Sequence, residues 1–178
     1  QALGPVEQLS GVGHGDAADV ADDRTEMAHG LDRRAWDALP GVAERKWEID
    51  SLCYPMRLAH GYWQATGDKT PFDARWAEAA RLSIATFREQ QRKTDKGPYR
   101  FRRKSNIPTE TLMLEGYGAP SRSVGLIHCG FRPSDDACVY PFLIPSNYFA
   151  VTALRELAVV ANAARGDAAL ANDAVALA

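Results

Sequence analysis

Two neighbouring carboxylates and a guanidinium stand in a short turn between apolar segments of this chain. The turn is Arg132-Pro133-Ser134-Asp135-Asp136; it follows Gly130-Phe131 and precedes an apolar run over residues 139–149. A charged turn joined on both sides to segments that can be buried is held rigidly, as a chemical site requires. The first question is therefore which reaction Asp135 and Asp136 could serve.

Paired carboxyl groups are the usual catalysts of glycosidic-bond hydrolysis, in which they act from opposite sides of the scissile bond. Asp135 and Asp136 are adjacent on one loop, so both would approach a sugar from the same side. One of them can act while the other orients hydroxyl groups or its partner. A second catalytic carboxylate must then come from another part of the protein.

A second acidic cluster, Glu48 and Asp50, stands beside Trp47 and Tyr54. Aromatic faces next to acids suit a sugar pocket, because they offer stacking and hydrogen bonding. The two acids also have a structural interpretation, since Asp50 can cap a helix and Glu48 can pair with Arg45. Direct substrate contact and a structural role both stay open for these acids.

Seven cations and one acid occupy residues 92–104, with Tyr99 and Phe101 between them. Aromatics between cations suit single-stranded nucleic acid. The chain has a net charge of −2, however, and it shows no RNP-like or zinc motif. A solvated loop, or arginines directed at sugar hydroxyls, is the favoured interpretation, and we expect no nucleic-acid partner.

The bulk composition is that of one globular domain, with 178 residues of which 46% are hydrophobic and 25% charged. No apolar run approaches the roughly 18 residues of a membrane-spanning helix, so we expect no membrane partner. Cys53, Cys129 and Cys138 lack CxxC spacing. This favours buried free thiols over disulfides or a metal site, and weakly favours a cytoplasmic location. We expect neither metal nor cofactor.

Helical periodicity dominates after residue 43, whereas residues 1–43 are rich in Gly, Asp and Ala. We expect an irregular N-terminal segment over 1–43, with a short helix near residues 31–39. The predicted later helices run from Asp50 to Gly67, from Thr70 to about Gln91, from Ser146 to about Gly166 and from Asp167 to Ala178. Two strand-like segments, 123–127 and 139–143, are short and suit loop ribbons beside a site. The sequence therefore predicts an all-α fold with long loops.

Three motifs in this order resemble glycoside hydrolase family 125: residues 44–55 (ERKWEIDSLCYP), 134–138 (SDDAC) and 143–147 (LIPSN). The similarity extends from about residue 22 to the C-terminus. One local departure is His128-Cys129, which stands where the family usually has Trp-Ser. The resemblance implies a metal-independent, inverting exo-α-1,6-mannosidase on an (α/α) toroid of six helical hairpins. Residues 44–178 would then be part of that catalytic domain, truncated at both ends.

The resemblance also implies that the loop after Arg132-Pro133-Ser134 supplies the general acid, which protonates the departing oxygen as a terminal mannose leaves. We expect Asp135 to be this acid, by analogy with related helical-toroid glycosidases. The side chains expected to contact a mannose-containing oligosaccharide or glycan are Asp136, Arg132, Asp50, Ser51, Tyr54, His128 and Asn147.

The general base, by the same resemblance, is expected to be a glutamate beyond Ala178. The chain begins with Gln1 and stops inside a helix-like segment, so we expect a piece of a longer protein that holds half a pocket and is inactive alone. The alternative is a non-catalytic helical module that binds mannosides.

Overall fold

The computed structural model describes residues 46–178. The predictions for residues 1–43, including the short helix near 31–39, and the pairing of Glu48 with Arg45 lie outside the described residues. The division of the chain at residue 43 stays a prediction.

Four helices of ten or more residues form the scaffold of the described part. They are α1 (Ile49–Thr66), α2 (Ala74–Gln90), α3 (Ile144–Ala163) and α4 (Ala168–Leu177). A 3-10 turn (Pro108–Glu110) and a four-residue helical turn (Met113–Gly116) lie in the long loop between α2 and α3. No strand forms in residues 46–178, where Phe131 and Ala137 make an isolated antiparallel bridge. The all-α prediction is confirmed, and both strand-like segments are loops.

Two predicted helix ends are confirmed because their residue types suit the backbone they adopt. Gly67 ends α1 in the left-handed region, with φ of +66°, where glycine has no steric penalty. Asp167 caps α4, since its carboxylate accepts the backbone N–H of Leu170 at 3.0 Å.

The other three predicted starts are wrong. Asp73, not Thr70, caps α2, because Thr70 is held in a turn by Asp68, whose carboxylate accepts its backbone N–H at 2.8 Å. Helix α1 begins one residue before Asp50, which lies in the first turn, where the helix dipole favours an acid.

Helix α3 begins at Ile144, so Ser146 lies inside its first turn. Pro145 explains the difference, since proline lacks the N–H that the first helical turn leaves unpaired and its φ suits a helix start.

One hydrophobic core joins all four helices and places α3 at its centre. Helix α3 packs against both α1 and α4, whereas α1 makes little contact with its neighbour in sequence, α2. Helix α2 contributes Ile84 and Phe87, which are fully buried. Side chains that the core draws from the other helices include Ile49, Cys53, Met56, Ala153, Leu154, Leu157, Leu170 and Ala174. The amino ends of α1 and α3 are thus fixed relative to each other.

A second, smaller apolar cluster supports the long loop. Phe101, Leu112 and Phe131 are buried together, and the rings of Phe101 and Phe131 meet edge to face at 5.2 Å. A Cβ at Gly130 would lie 2.8 Å from Leu112 Cδ1, so a larger residue here would require the buried Leu112 side chain to shift. This cluster positions the charged turn that follows Phe131.

Candidate active site

Residues 130–138, termed here the acid loop, form a narrow loop closed by its own backbone. The N–H of Asp135 donates to the carbonyl of Arg132, and the N–H of Arg132 donates to the carbonyl of Asp136, both at 2.8 Å. Asp135 has a φ of +70°, a left-handed conformation that aspartate tolerates better than most residues. Its side chain is 65% exposed. The loop therefore holds Asp135 out toward a possible ligand.

Lys46 pairs with Asp135 through both the carboxylate and the backbone carbonyl of that residue. Its ammonium lies 3.0 Å from Asp135 Oδ2 and donates to the Asp135 carbonyl at 3.2 Å, yet its side chain is only 4% exposed. The ring of Phe131 lies 4.8 Å from Lys46 Nζ, and that of Phe101 lies 5.9 Å away. Aromatic faces attract a cation, so the lysine is held between ring and carboxylate. Lys46 was not among the site residues predicted from the sequence.

Glu48 brings the second acidic cluster to the acid loop. Glu48 lies close enough to Asp135 for the two charges to interact, and its Oε2 accepts the hydroxyl of Ser51 at 2.7 Å. Burial raises the pKa of Glu48, the charges of Asp135 and Asp50 raise it further, and the Ser51 hydrogen bond opposes the rise. The start of α1 therefore brings a second acid close to the acid loop.

Asp136 has a different environment from its neighbour. Its Oδ2 accepts from the Ser134 hydroxyl and from the Arg132 guanidinium, each at 2.9 Å. The hydrogen bond from Ser134 and the Arg132 charge lower the pKa of Asp136. This carboxylate is an ionised acceptor that shapes the loop.

Tyr54 and Asp50 lie on the first turns of α1, one exposed and one buried. Tyr54 meets the ring of Phe149 edge to face at 5.0 Å and, with Ser51, lines a shallow groove along α1. Asp50 Oδ1 is buried and has no hydrogen-bond partner among the described residues. A buried polar atom of this kind is unfavourable until a donor reaches it.

His128 is buried behind the acid loop and contacts protein groups. Its Nδ1 lies 3.1 Å from the Ser121 hydroxyl and its Nε2 lies 3.2 Å from the Tyr117 carbonyl. Burial lowers the pKa of His128 to about 4, and the charge of Arg92 adds to the effect. Direct sugar contact by His128 stays a prediction, while the described contacts fix the chain that leads into the acid loop.

Asn147 is also buried and joins α3 to the segment before the acid loop. Its Oδ1 accepts the N–H of Ile127 at 2.8 Å, and its Nδ2 donates to the carbonyls of Ile127 and Leu143, each at 3.2 Å. These bonds occupy the amide. Its predicted contact with substrate is untested, and its described role is to hold the loop.

Other features of the described part lie apart from this cluster. A cavity beside α3 is lined by Ile127, Tyr148, Leu154 and other residues, none of which belongs to the acid loop. No three His, Cys, Asp or Glu side chains within residues 46–178 come together as metal ligands would. None of the helices in this range combines the length and apolar composition needed to cross a membrane.

The basic segment 92–104 is partly engaged by the protein itself. Arg92 donates to the Tyr117 carbonyl at 3.1 Å, and Arg103 pairs with Glu110 at 2.7 Å. Both contacts occupy guanidinium N–H groups that a phosphate backbone would need as donors.

Comparison with known proteins places this site in context. The "Meiotically up-regulated gene 157 protein" of Schizosaccharomyces pombe is 40% identical over 125 residues, which are 65% of this chain and 25% of that protein. A solved Streptococcus pneumoniae structure, a metal-independent alpha-mannosidase in a non-productive substrate complex with alpha-1,6-mannobiose, shares 37% identity with a TM-score of 0.71. That match covers 76% of this chain and 32% of the enzyme, so the chain spans a third or less of these relatives.

The structural match confirms the helical fold as part of an (α/α) toroid. The family model described as "Metal-independent alpha-mannosidase (GH125)" matches residues 15–178. The chain therefore belongs to glycoside hydrolase family 125, the metal-independent α-mannosidases.

Proposed function

We propose that the full-length protein is an inverting exo-α-1,6-mannosidase, which removes terminal mannose from mannose-containing oligosaccharides or glycans. Family membership and the mannobiose-bound relative support the substrate class. The observation that carries the proposal is the exposed Asp135 carboxyl, held by the buried Lys46 at the point where the acid loop meets α1.

In this proposal Asp135 is the general acid. It donates its proton to the glycosidic oxygen as the bond to mannose breaks, and the Lys46 ammonium at 3.0 Å then stabilises the carboxylate that is left. Asp136 is the weaker candidate, because Arg132 and Ser134 engage its oxygen and its lowered pKa opposes proton storage.

Glu48 is the other acid near Asp135, and we do not assign it as the general base. An inverting enzyme separates its two carboxyl groups by roughly 6.5 to 9.5 Å to admit a water molecule. Glu48 lies close enough to Asp135 for the two charges to interact, and burial, which raises the pKa of Glu48, opposes the ionised form that a base needs. We therefore assign the base to a glutamate beyond Ala178, and residues 1–178 alone to an inactive half-pocket.

Substrate contacts are proposed for the exposed groups around Asp135. Ser51 and Tyr54 face the groove on α1, and Arg132 is half-exposed on the acid loop. Tyr54 offers a ring face to a sugar, and the unpaired Oδ1 of Asp50 offers an acceptor to a sugar hydroxyl.

The test is the stereochemistry of hydrolysis by the full-length protein. With α-1,6-mannobiose, proton NMR should show β-mannose as the first product, before mutarotation. Initial α-mannose would overturn inversion. Binding of mannobiose without any release of mannose would favour the non-catalytic module instead. Binding that weakens steeply with added salt would point to phosphate contacts and a nucleic-acid partner, since a neutral sugar binds almost independently of salt.

A further inference from the structure

The hydrogen bonds within the acid loop fix the backbone of Asp135 but not its side chain. Two of them, from Asp135 to Arg132 and from Arg132 to Asp136, hold the main chain. The Asp135 side chain is 65% exposed, and an exposed side chain exchanges among its staggered rotamers. A general acid has to present its proton in one direction, within hydrogen-bond reach of the leaving oxygen. Another residue is therefore needed to select one rotamer of Asp135.

Lys46 contacts Asp135 at two points at once. Its Nζ lies 3.0 Å from Oδ2 and donates to the Asp135 carbonyl oxygen at 3.2 Å. One ammonium between a side-chain oxygen and the main-chain oxygen of the same residue fixes that side chain relative to its own backbone. The backbone has a φ of +70°, a conformation in which a Cβ carries a steric penalty. The two contacts stabilise this backbone conformation as well as the rotamer.

Lys46 is itself held by its surroundings. Its side chain is 4% exposed, and its ammonium lies 4.8 Å from the ring centre of Phe131 and 5.9 Å from that of Phe101. These two rings meet edge to face at 5.2 Å, and Leu112 is buried with them. Ile49, three residues further on, is fully buried in the core and anchors the start of α1. Lys46 thus ties the exposed carboxylate to packed parts of the protein.

We propose that Lys46 is the positioning residue of the general acid, and that it makes Asp135 donate its proton from Oδ1. This inference rests on the proposed function of Asp135. In the protonated acid, Oδ2 is the carbonyl oxygen that accepts from the ammonium, and Oδ1 carries the proton. The O–H bond at Oδ1 breaks as the proton passes to the glycosidic oxygen, and its electron pair stays on the carboxylate. Lys46 exchanges no proton in this step.

The experiment compares kcat and KM of the full-length protein and its variants on two substrates. One is α-1,6-mannobiose, and the other is 2,4-dinitrophenyl α-mannoside, an activated substrate whose leaving group departs without a proton. Lys46→Met keeps the apolar stem and removes both donor contacts. Its kcat on mannobiose should fall about a hundredfold, with little change in KM or in activity on the activated substrate.

Two further variants separate position from charge. Lys46→Arg keeps the charge but replaces a compact ammonium by a planar fork, so it should lose about tenfold in kcat on mannobiose alone. The charge effect on the carboxylate that is left after proton transfer would survive in this variant. Lys93→Met removes an exposed cation on the loop after α2 and is the matched control, which should equal the wild type on both substrates.

An equal loss on both substrates in Lys46→Met would show a purely structural role, and full activity of Lys46→Arg would show that charge alone matters. Either result would overturn the proposal. Lys46→Arg keeps the test decisive if Lys46→Met does not fold. Asp135→Asn is measured in parallel. If it retains near wild-type activity on mannobiose, the proposed acid is wrong and this inference fails with it; if it loses that activity while both Lys46 variants keep it, only the positioning role is refuted.

Discussion

Acidification should destabilise the protein through His128, and the structure gives the size of the effect. The imidazole is 1% exposed, and its pKa in the folded protein is about 4, against 6.5 ordinarily. Between pH 4 and pH 6.5 the unfolded chain therefore binds a proton on His128 that the folded chain does not bind. Stability contributed by the neutral imidazole is present above pH 6.5 and is lost as the pH falls toward 4.

The difference of 2.5 between the two pKa values corresponds to about 3 to 4 kcal/mol at full protonation, since each unit is worth roughly 1.4 kcal/mol. Relative to pH 7.5, we expect a loss of roughly 1 kcal/mol at pH 5.5 and of roughly 2 to 3 kcal/mol at pH 4.5. Carboxylates also titrate in this range, so the wild-type protein must be compared with a variant that cannot protonate at position 128.

The assay is urea unfolding at several pH values for the wild type, His128→Gln and Ser121→Ala. Glutamine at position 128 carries no titratable group. The difference in free energy of unfolding between the wild type and His128→Gln should therefore shrink by these amounts as the pH falls. Ser121→Ala loses the hydroxyl at 3.1 Å but keeps the imidazole, and it should follow the wild-type pH dependence. A difference between wild type and His128→Gln that is constant from pH 7.5 to 4.5 would refute the reasoning.

Two further predictions concern the thiols and the buried amide. Cys138 should react with iodoacetamide about tenfold or more faster than Cys53 or Cys129. The Cys129 thiol and the charge of Arg132 lower the pKa of Cys138, and Cys138 is only half-buried. Burial, by contrast, raises the pKa of Cys53 to about 12. Peptide mass spectrometry measures the three rates, and equal rates would contradict the assignment. Asn147→Ala should lower the free energy of unfolding by about 2 to 3 kcal/mol, since it removes three hydrogen bonds and leaves a buried N–H without its acceptor. Urea unfolding measures this loss, and a change below about 0.5 kcal/mol would mean that the amide contributes nothing net.

Local features were predictable because their causes are local. Helical periodicity predicted the four helices, and Gly67 and Asp167 marked helix ends through the backbone that each residue type supports. The acid loop stood out by its composition alone. Ser146 misled the prediction of the third helix start, since the neighbouring Pro145 determines where that helix begins.

The contacts that give the site its chemistry could not be predicted from local sequence patterns. Lys46 and Asp135 are 89 residues apart, and only tertiary packing brings them together. A lysine in a charged stretch of sequence also suggests a solvated side chain, whereas the ammonium of Lys46 lies against the ring of Phe131. Its position two residues before Glu48, in a motif chosen for its acids, was the available signal.

The central claim is that Asp135 donates a proton to the leaving oxygen, and the most direct measurement compares two substrates with the full-length Asp135→Asn variant. Activity on α-1,6-mannobiose, whose leaving group needs protonation, should fall by about a thousandfold. Activity on 2,4-dinitrophenyl α-mannoside, whose leaving group departs without a proton, should fall far less. The matched Asp136→Asn variant should affect both substrates alike. Mannobiose hydrolysis by Asp135→Asn within a few-fold of wild type, or an equal loss on both substrates, would contradict the assignment.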